Sequence, residues 1–118
     1  MLYLKLTTMR HCLAIDLKND PALIAQYEQY HQRVWPEVLQ SLTDCGITDM
    51  EIYRVENRLF MVIETTADFS FERKNQMDTQ NPKVQQWETL MLNYQQAMPT
   101  AKTHERWLLA ELVFKFEG

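Results

Sequence analysis

The chain has 118 residues, the size of one domain with a single core. Hydrophobic residues make up 46% and charged residues 24%, a globular composition, and the formal net charge is −4 without a run of Lys and Arg, which argues against a nucleic-acid partner. No apolar stretch reaches the length of a membrane span. Cys12 and Cys45 lack metal-binding spacing, so we interpret them as reduced thiols of a cytoplasmic protein. We expect one domain over residues 1–118, with residues 1–8 as a candidate N-terminal extension.

The N-terminal part of the chain predicts a strand followed by a helix. Residues 10–17 alternate between two faces, with Leu13, Ile15 and Leu17 on one and Cys12, Ala14 and Asp16 on the other, which is the periodicity of a strand. Asn19 or Asp20 can cap a helix, and Pro21 suits its first turn, where a missing N–H costs nothing. The inward stripe of this helix is predicted to comprise Leu23, Tyr27, His31 and Val34.

Pro36 predicts a break in this helical region. Proline cannot donate to the helical ladder and disfavours helical geometry at the preceding residue, here Trp35. The break would place His31 at a helix end. A second helical segment is predicted from Pro36 to about residue 44, with Gly46 as its stop.

Three further strands and one further helix are predicted. Residues 47–55 and 58–65 form strand candidates joined by a two-residue turn, and residues 107–116 form the last strand. A helix is predicted to start at Asn81 and Pro82, with apolar residues at helical spacing up to Tyr94, while the polar segment 68–80 fits a short helix or an ordered loop equally well.

The element order βαββαβ predicts a ferredoxin-like α+β fold, an antiparallel sheet with both helices on one face. Residues 59–63 and 107–116 are apolar on both faces of their strands. Because two helices cover only one face of the sheet, the other apolar face must contact a ligand cavity, a second subunit or both.

Tyr27, His31 and Trp35 recur every four residues, so a helix places them near one stripe that can line a polar pocket. Imidazole titrates near neutral pH and can both give and take protons, which makes His31 the candidate catalytic group. The structural alternative is a half-buried histidine satisfied by a backbone carbonyl. Trp35 and Trp87 lie at helical spacing, where tryptophans are more often core residues than carbohydrate platforms, and Glu64 and Glu111 are more typical of exposed or paired carboxylates than of catalytic ones.

Several segments together resemble the L-rhamnose mutarotase family. The segments are YxxYHxxVWPEV over residues 27–38, IYR over 52–54, NRLFMVIE over 57–64, VQQWETLM over 84–91 and a closing strand with Glu111. The resemblance covers nearly the whole chain from Met9 onward. It implies a ferredoxin-like fold, a homodimer of the dimeric α/β-barrel type, and interconversion of the α and β anomers of a 6-deoxy-L-sugar without a cofactor or metal.

The resemblance also implies roles for individual residues. The family's proton donor falls on His31, its sugar-contacting tyrosine on Tyr27 and a sugar-binding tryptophan on Trp87. Rhamnose-type members carry a tyrosine where this chain has Met50 and a second tryptophan where it has Glu88.

These two departures alter the predicted pocket wall and leave the proton chemistry alone. Relatives with a Trp–Glu pair on the late helix resemble enzymes of L-fucose use, so the expected substrate is either L-rhamnose or L-fucose. The substrate-binding set is predicted to include Trp35 as well, and Glu111 is a candidate for the second proton-transfer group. The alternative function is a dimeric ferredoxin-like ligand-binding protein or small monooxygenase.

Overall fold

The computed structural model describes residues 8–118, and three long strands form the centre of its sheet. These strands are β1 (Thr8–Leu17), β2 (Ile47–Val55) and β3 (Arg58–Thr66), with β3 antiparallel to both neighbours. Two short strands, β4 (Gln95–Gln96) and β5 (Leu108–Leu109), pair antiparallel with the other edge of β1. The strand order β2-β3-β1-β4, with β5 also on β1, confirms the predicted ferredoxin-like α+β fold. The candidate extension lies outside the described residues except for Thr8, which pairs with Thr66.

Four α-helices and one short 3-10 turn connect the strands. The helices are α1 (Pro21–Tyr30), α2 (Pro36–Asp44), α3 (Phe71–Thr79) and α4 (Pro82–Met91), and the 3-10 turn is His31–Arg33. Asp20 caps α1, since its carboxylate accepts hydrogen bonds from the backbone N–H groups of Ala22 at 2.9 Å and Leu23 at 3.3 Å. The predicted start at Pro21 is therefore confirmed.

The predicted break lies between α1 and α2. Trp35 has a ψ angle of 136°, the extended geometry that the following Pro36 favours, and Val34 before it is also extended, with a ψ angle of 139°. His31 caps the C-terminus of α1, as the break predicts. Trp35 is the N-cap of α2, and its carbonyl accepts hydrogen bonds from the backbone N–H groups of Val38 and Leu39.

Two residues with positive φ form the turns that flank β2. Gly46 follows α2 with a φ of +99°, a backbone conformation that suits glycine. Glu56, in the predicted two-residue turn between β2 and β3, has a φ of 52°. The hairpin is confirmed, and a non-glycine residue adopts the left-handed conformation in it.

The buried side chains form two clusters. The first core cluster contains Ile15, Leu17, Tyr27, Val38, Leu59, Trp87, Met91 and Tyr94. The second core cluster contains Leu13, Cys45, Ile47 and Ile63. Strand residues of both clusters alternate along β1 and β3, so one face of the sheet carries the core. Cys12 and Cys45 are both free thiols, and no helix within residues 8–118 is long and apolar enough to cross a membrane.

The other face of the sheet carries a second apolar surface. The β1–β3 register sets Cys12 opposite Val62 and Ala14 opposite Phe60, and all four side chains are half-buried. We call these four residues the outer sheet face. This arrangement agrees with the expectation that the sheet is apolar on both faces.

One segment differs from the sequence predictions, and a second decides between two alternatives that the sequence left open. The last strand was predicted over residues 107–116, but only Leu108–Leu109 pairs with β1. Residues 110–118 have no regular secondary structure and are exposed. The prediction was wrong over this stretch because alternation forms a strand only where a neighbouring strand completes the hydrogen bonds. The undecided segment 68–80 contains α3, capped by the Ser70 hydroxyl at 3.0 Å from the Arg73 N–H.

Candidate active site

A cleft opens between α1 with its 3-10 turn and the β2–β3 hairpin. Its volume is about 210 Å³, below the roughly 300–1,000 Å³ typical of drug-sized ligands, so it suits one small ring. It is lined by Tyr27, Glu28, His31, Gln32, Ile52, Arg54 and Leu59. The cleft has a helix wall, which carries His31, and a sheet wall, which carries Arg54.

His31 has its two ring nitrogens in different environments. Nδ1 lies 2.9 Å from the Tyr27 carbonyl oxygen, and because a carbonyl only accepts, Nδ1 donates its hydrogen to it. In the neutral ring the lone pair is then on Nε2. Nε2 has no hydrogen-bond partner among residues 8–118. A purely structural histidine would also bond a backbone carbonyl, and this bond is present, but it occupies only Nδ1.

Burial lowers the pKa of His31 below its ordinary value, because desolvation disfavours the charged ring. The hydrogen bond to the Tyr27 carbonyl opposes this shift and is the smaller of the two effects. The ring is therefore neutral at pH 7, and Nε2 can accept a proton. A neutral imidazole with a lowered pKa is suited to act as a general base near neutral pH.

Tyr27 lies directly against His31. Their ring centroids are 4.2 Å apart with an interplanar angle of 34°, and Tyr27 is only 3% exposed. Burial raises the pKa of the Tyr27 phenol well above its usual range, so the hydroxyl stays protonated and can donate a hydrogen bond. The spacing of four residues on α1 places these two rings together, as predicted.

Trp87 and Trp35 continue the aromatic cluster behind His31. The ring centroids of Trp87 and His31 are 5.4 Å apart, and those of Trp87 and Trp35 are 5.2 Å apart. Both pairs are T-shaped. Trp87 is 8% exposed and belongs to the first core cluster, and Trp35 packs against that cluster. The structure thus joins four of the predicted site residues, Tyr27, His31, Trp35 and Trp87, in one group. Trp35 and Trp87 do not line the cleft.

Three other predicted residues lie apart from the cleft lining. Met50 packs against the second core cluster. Glu88 is exposed on α4 and accepts a hydrogen bond from the Gln85 side-chain amide at 3.3 Å, and its pKa is raised, chiefly by desolvation. Glu111 lies in the exposed C-terminal stretch. Within residues 8–118 no group of three or more His, Cys, Asp or Glu side chains could hold a metal ion.

Five of the seven residues that line the cleft were absent from the predicted site: Glu28, Gln32, Ile52, Arg54 and Leu59. Two of them form an ion pair. Arg54 donates from Nε to a Glu28 carboxylate oxygen at 3.1 Å, and this pair joins the sheet wall of the cleft to α1. The alternation of β2 indicates the position of Arg54 from the sequence alone, because it places Arg54 on the same face as Ile52, towards the helices. The resemblance implies no role for Arg54.

Comparisons with known proteins identify the family of this chain. Residues 10–116 match the family model described as L-rhamnose mutarotase. An L-fucose mutarotase of Xanthomonas campestris pv. campestris is 40% identical over 111 residues, covering 92% of this chain and 89% of the relative. An L-rhamnose mutarotase of Acidiphilium cryptum is 28% identical over 96 residues, covering 80% of this chain and 92% of the relative.

A solved structure supports the same fold. The crystal structure of the L-rhamnose mutarotase FA22100 from Formosa agariphila superposes with a TM-score of 0.69 at 23% identity, covering 92% of this chain and 99% of that one. Because the family model spans nearly the whole chain, the prediction drawn from the motifs is confirmed over the alternative of a small monooxygenase. The chain belongs to the L-rhamnose mutarotase family and is a carbohydrate isomerase of the mutarotase type.

Proposed function

We propose that this protein interconverts the α and β pyranose anomers of a 6-deoxy-L-hexose, with L-fucose as the preferred sugar and His31 as the proton-transfer group. The observation that carries the proposal is the state of the His31 ring. Nδ1 is held by the Tyr27 carbonyl at 2.9 Å, while Nε2 has no hydrogen-bond partner among residues 8–118 and the ring lines the cleft. A fixed imidazole with one available lone pair is what proton exchange at a hemiacetal requires.

The proposed reaction needs no group beyond this imidazole. Nε2 accepts the proton of the anomeric hydroxyl, the electron pair left on O1 forms the carbonyl at C1, and the C1–O5 bond breaks. The imidazolium then gives its proton to O5. Because O1 and O5 are both bonded to C1, one ring can serve both atoms. Rotation about C1–C2 and the reverse steps close the other anomer, with no net change in protons.

Tyr27, Trp35 and Trp87 support this step in the proposal. Tyr27 carries a protonated hydroxyl and lines the cleft, so it can donate to a sugar oxygen or orient the ring. Trp87 packs T-shaped against His31, with ring centroids 5.4 Å apart, and is only 8% exposed, so a sugar at His31 can touch only a small part of the indole. Trp35 packs T-shaped against Trp87 and supports its position.

One comparison favours L-fucose over L-rhamnose. The relative at 40% identity is named an L-fucose mutarotase, whereas the relative at 28% identity is named for L-rhamnose. Met50 and Glu88 stand where rhamnose-type members carry aromatic residues, but neither residue lines the cleft, so neither accounts for a sugar preference.

Two-dimensional exchange NMR tests the proposal. Cross-peaks between the anomeric protons of L-fucose should grow faster when protein is added, and L-rhamnose and the C2 and C4 epimers of both sugars should respond less. Equal exchange with and without protein for every sugar would overturn the proposal.

We also propose that the protein is a homodimer in the cytoplasm and that a second copy covers its uncovered apolar surfaces. Leu112, Val113, Phe114 and Phe116 are 76–91% exposed, and the four apolar residues of the outer sheet face are only half-buried. Exposed apolar surface of this kind marks an interaction site, and a second copy offers matching apolar surface under two-fold symmetry.

Light scattering at micromolar concentration tests the dimer. The wild type should give twice the chain mass, and the double change Leu112→Ser with Phe114→Ser should shift the mass towards the monomer. Lys115→Ser is the control in the same stretch and should remain dimeric. A monomeric wild type would contradict the proposal.

A further inference from the structure

The cleft contains a charged pair that nothing in the proton chemistry uses. Arg54 and Glu28 both line the cleft, and the Arg54 Nε–H donates to Glu28 Oε1 at 3.1 Å. Arg54 reaches this position from β2, whereas His31 belongs to the 3-10 turn after α1. A sugar bound between the two walls therefore meets the imidazole from one side and the guanidinium from the other.

The guanidinium is fixed but not fully occupied. Besides the bond to Glu28, Nη1 donates to the Glu56 carbonyl oxygen at 2.7 Å. A guanidinium has five N–H donors, so two fixed bonds orient its plane while further donors stay available. The Arg54 side chain is 38% exposed and the Glu28 side chain 52%, so a ligand in the cleft can reach both.

The combination of donors and acceptors suits a neutral polyol. A guanidinium donates to hydroxyl oxygens, and a carboxylate accepts from hydroxyl hydrogens. Their opposite charges cancel as a pair, so the site does not favour an anion as a lone arginine would. Two neighbouring hydroxyls of one sugar can satisfy both groups at once only when they have the matching relative orientation.

Ring geometry decides which hydroxyls the pair meets. In a pyranose, C3 and C4 lie across the ring from O5 and C1. With His31 at the O5–C1 edge, the opposite wall faces the C3–C4 edge. The hydroxyls at C3 and C4 are cis in L-fucose and trans in L-rhamnose, so this edge distinguishes the two sugars.

We infer that Arg54 and Glu28 form a hydroxyl-reading pair that sets which 6-deoxy-L-hexose the cleft accepts, an inference that rests on the proposed function. The pair determines specificity and takes no part in the proton transfer. A site built to hydrogen-bond a hydroxyl discriminates strongly against a sugar that leaves its polar groups unpaired.

The test compares exchange rates for L-fucose and L-rhamnose in variants of the pair. Arg54→Gln and Glu28→Gln should each lower the ratio of the L-fucose rate to the L-rhamnose rate roughly tenfold or more. Arg54→Lys keeps the charge but loses the planar fork, and should lower the ratio as well. Arg10→Gln is the control, since it removes an exposed Arg–Glu pair, Arg10 to Glu64 at 2.9 Å, from the other end of the sheet.

A purely structural role for the pair predicts a different result. Both rates would fall together in each variant, the ratio would stay at the wild-type value, and the inference would be overturned. Thermal unfolding of each variant identifies those that lose rate through misfolding, and the ratio is compared only among folded proteins.

A binding measurement separates this inference from the proposed function. L-Fucose should shift the Arg54 Nε–H signal in the NMR spectrum of the wild type, and L-rhamnose should shift it less at equal concentration. If the wild type fails to accelerate exchange but this selective shift is present, the proposed function fails and the inference stands. An active wild type whose Arg54 signal responds to neither sugar would overturn the inference alone.

Discussion

His31→Asn is the change that isolates the proposed proton transfer. The asparagine amide nitrogen replaces Nδ1 and can still donate to the Tyr27 carbonyl, which lies 2.9 Å from Nδ1 in the wild type. The atom that disappears is Nε2, the proposed proton acceptor. The change therefore removes the chemistry and retains the hydrogen bond that holds residue 31 at the end of α1.

The expected loss follows from the role of a single positioned base. General acid–base catalysis contributes roughly 10² to 10⁴ in rate, so the protein-dependent part of anomer exchange should fall by about this factor. Stability should change far less, by about 1 kcal/mol, because the lost contacts are the imidazole's packing against Tyr27 and Trp87.

Exchange NMR on L-fucose, with rates measured against protein concentration, gives the comparison. His104→Asn is the matched control, since His104 is exposed and lies outside the cleft. It should leave the rate unchanged. If His31→Asn keeps the wild-type rate while circular dichroism shows it folded, the assignment of proton transfer to His31 is wrong.

Three further predictions concern pH and stability. The exchange rate should rise with pH through a midpoint below 6.5 and then level off, since burial lowers the pKa of His31 and the neutral ring is the base. Gly46→Ala should lower the free energy of unfolding by about 1–3 kcal/mol, because φ is +99° and the added Cβ would lie 2.8 Å from the Thr66 hydroxyl oxygen. Asp20→Ala should cost about 1 kcal/mol through loss of the α1 cap. Urea denaturation measures both losses.

The pH prediction and the cap prediction each have a result that contradicts them. A rate that falls as pH rises through 6 would mean that the imidazolium, not the neutral ring, is the active form. Asn19→Ala is the control for the cap and should be neutral, since the N–H groups at the start of α1 bond Asp20. Equal losses for Asn19→Ala and Asp20→Ala would refute the assignment of the cap.

The pKa of His31 also links pH to the stability of the fold. Its folded-state pKa is lowered, so below the ordinary value near 6.5 the unfolded chain binds more protons than the folded one. The contribution of this histidine to stability is present above that value and is lost as pH falls through it. When His31→Asn is unfolded at decreasing pH, its free energy of unfolding should not show the loss that His31 causes in the wild type.

The sequence predicted the elements whose signals are local. Proline and glycine act through their own backbone geometry, so Pro21, Pro36 and Gly46 located the ends of α1 and α2 and the break that holds His31. The four-residue spacing of Tyr27 and His31 likewise predicted their contact, because helical geometry alone determines it.

Features that depend on distant partners were not predictable in the same way. The alternation of residues 107–116 indicates a strand, but whether it pairs depends on a neighbouring strand, and only Leu108–Leu109 has one in the described chain. Trp87 could be read as a platform or as core, and its burial follows from packing against Trp35 and His31. The pairing of Arg54 with Glu28 joins residues 26 positions apart, which no local pattern reveals.

The account depends on where a sugar lies relative to one ring nitrogen of His31. A crystal soaked with L-fucose measures this directly. We predict that His31 Nε2 lies within hydrogen-bond reach, about 2.6–3.2 Å, of the sugar's O1 or O5. A sugar bound outside the cleft, or bound in the cleft with its hemiacetal turned away from His31, would contradict the account.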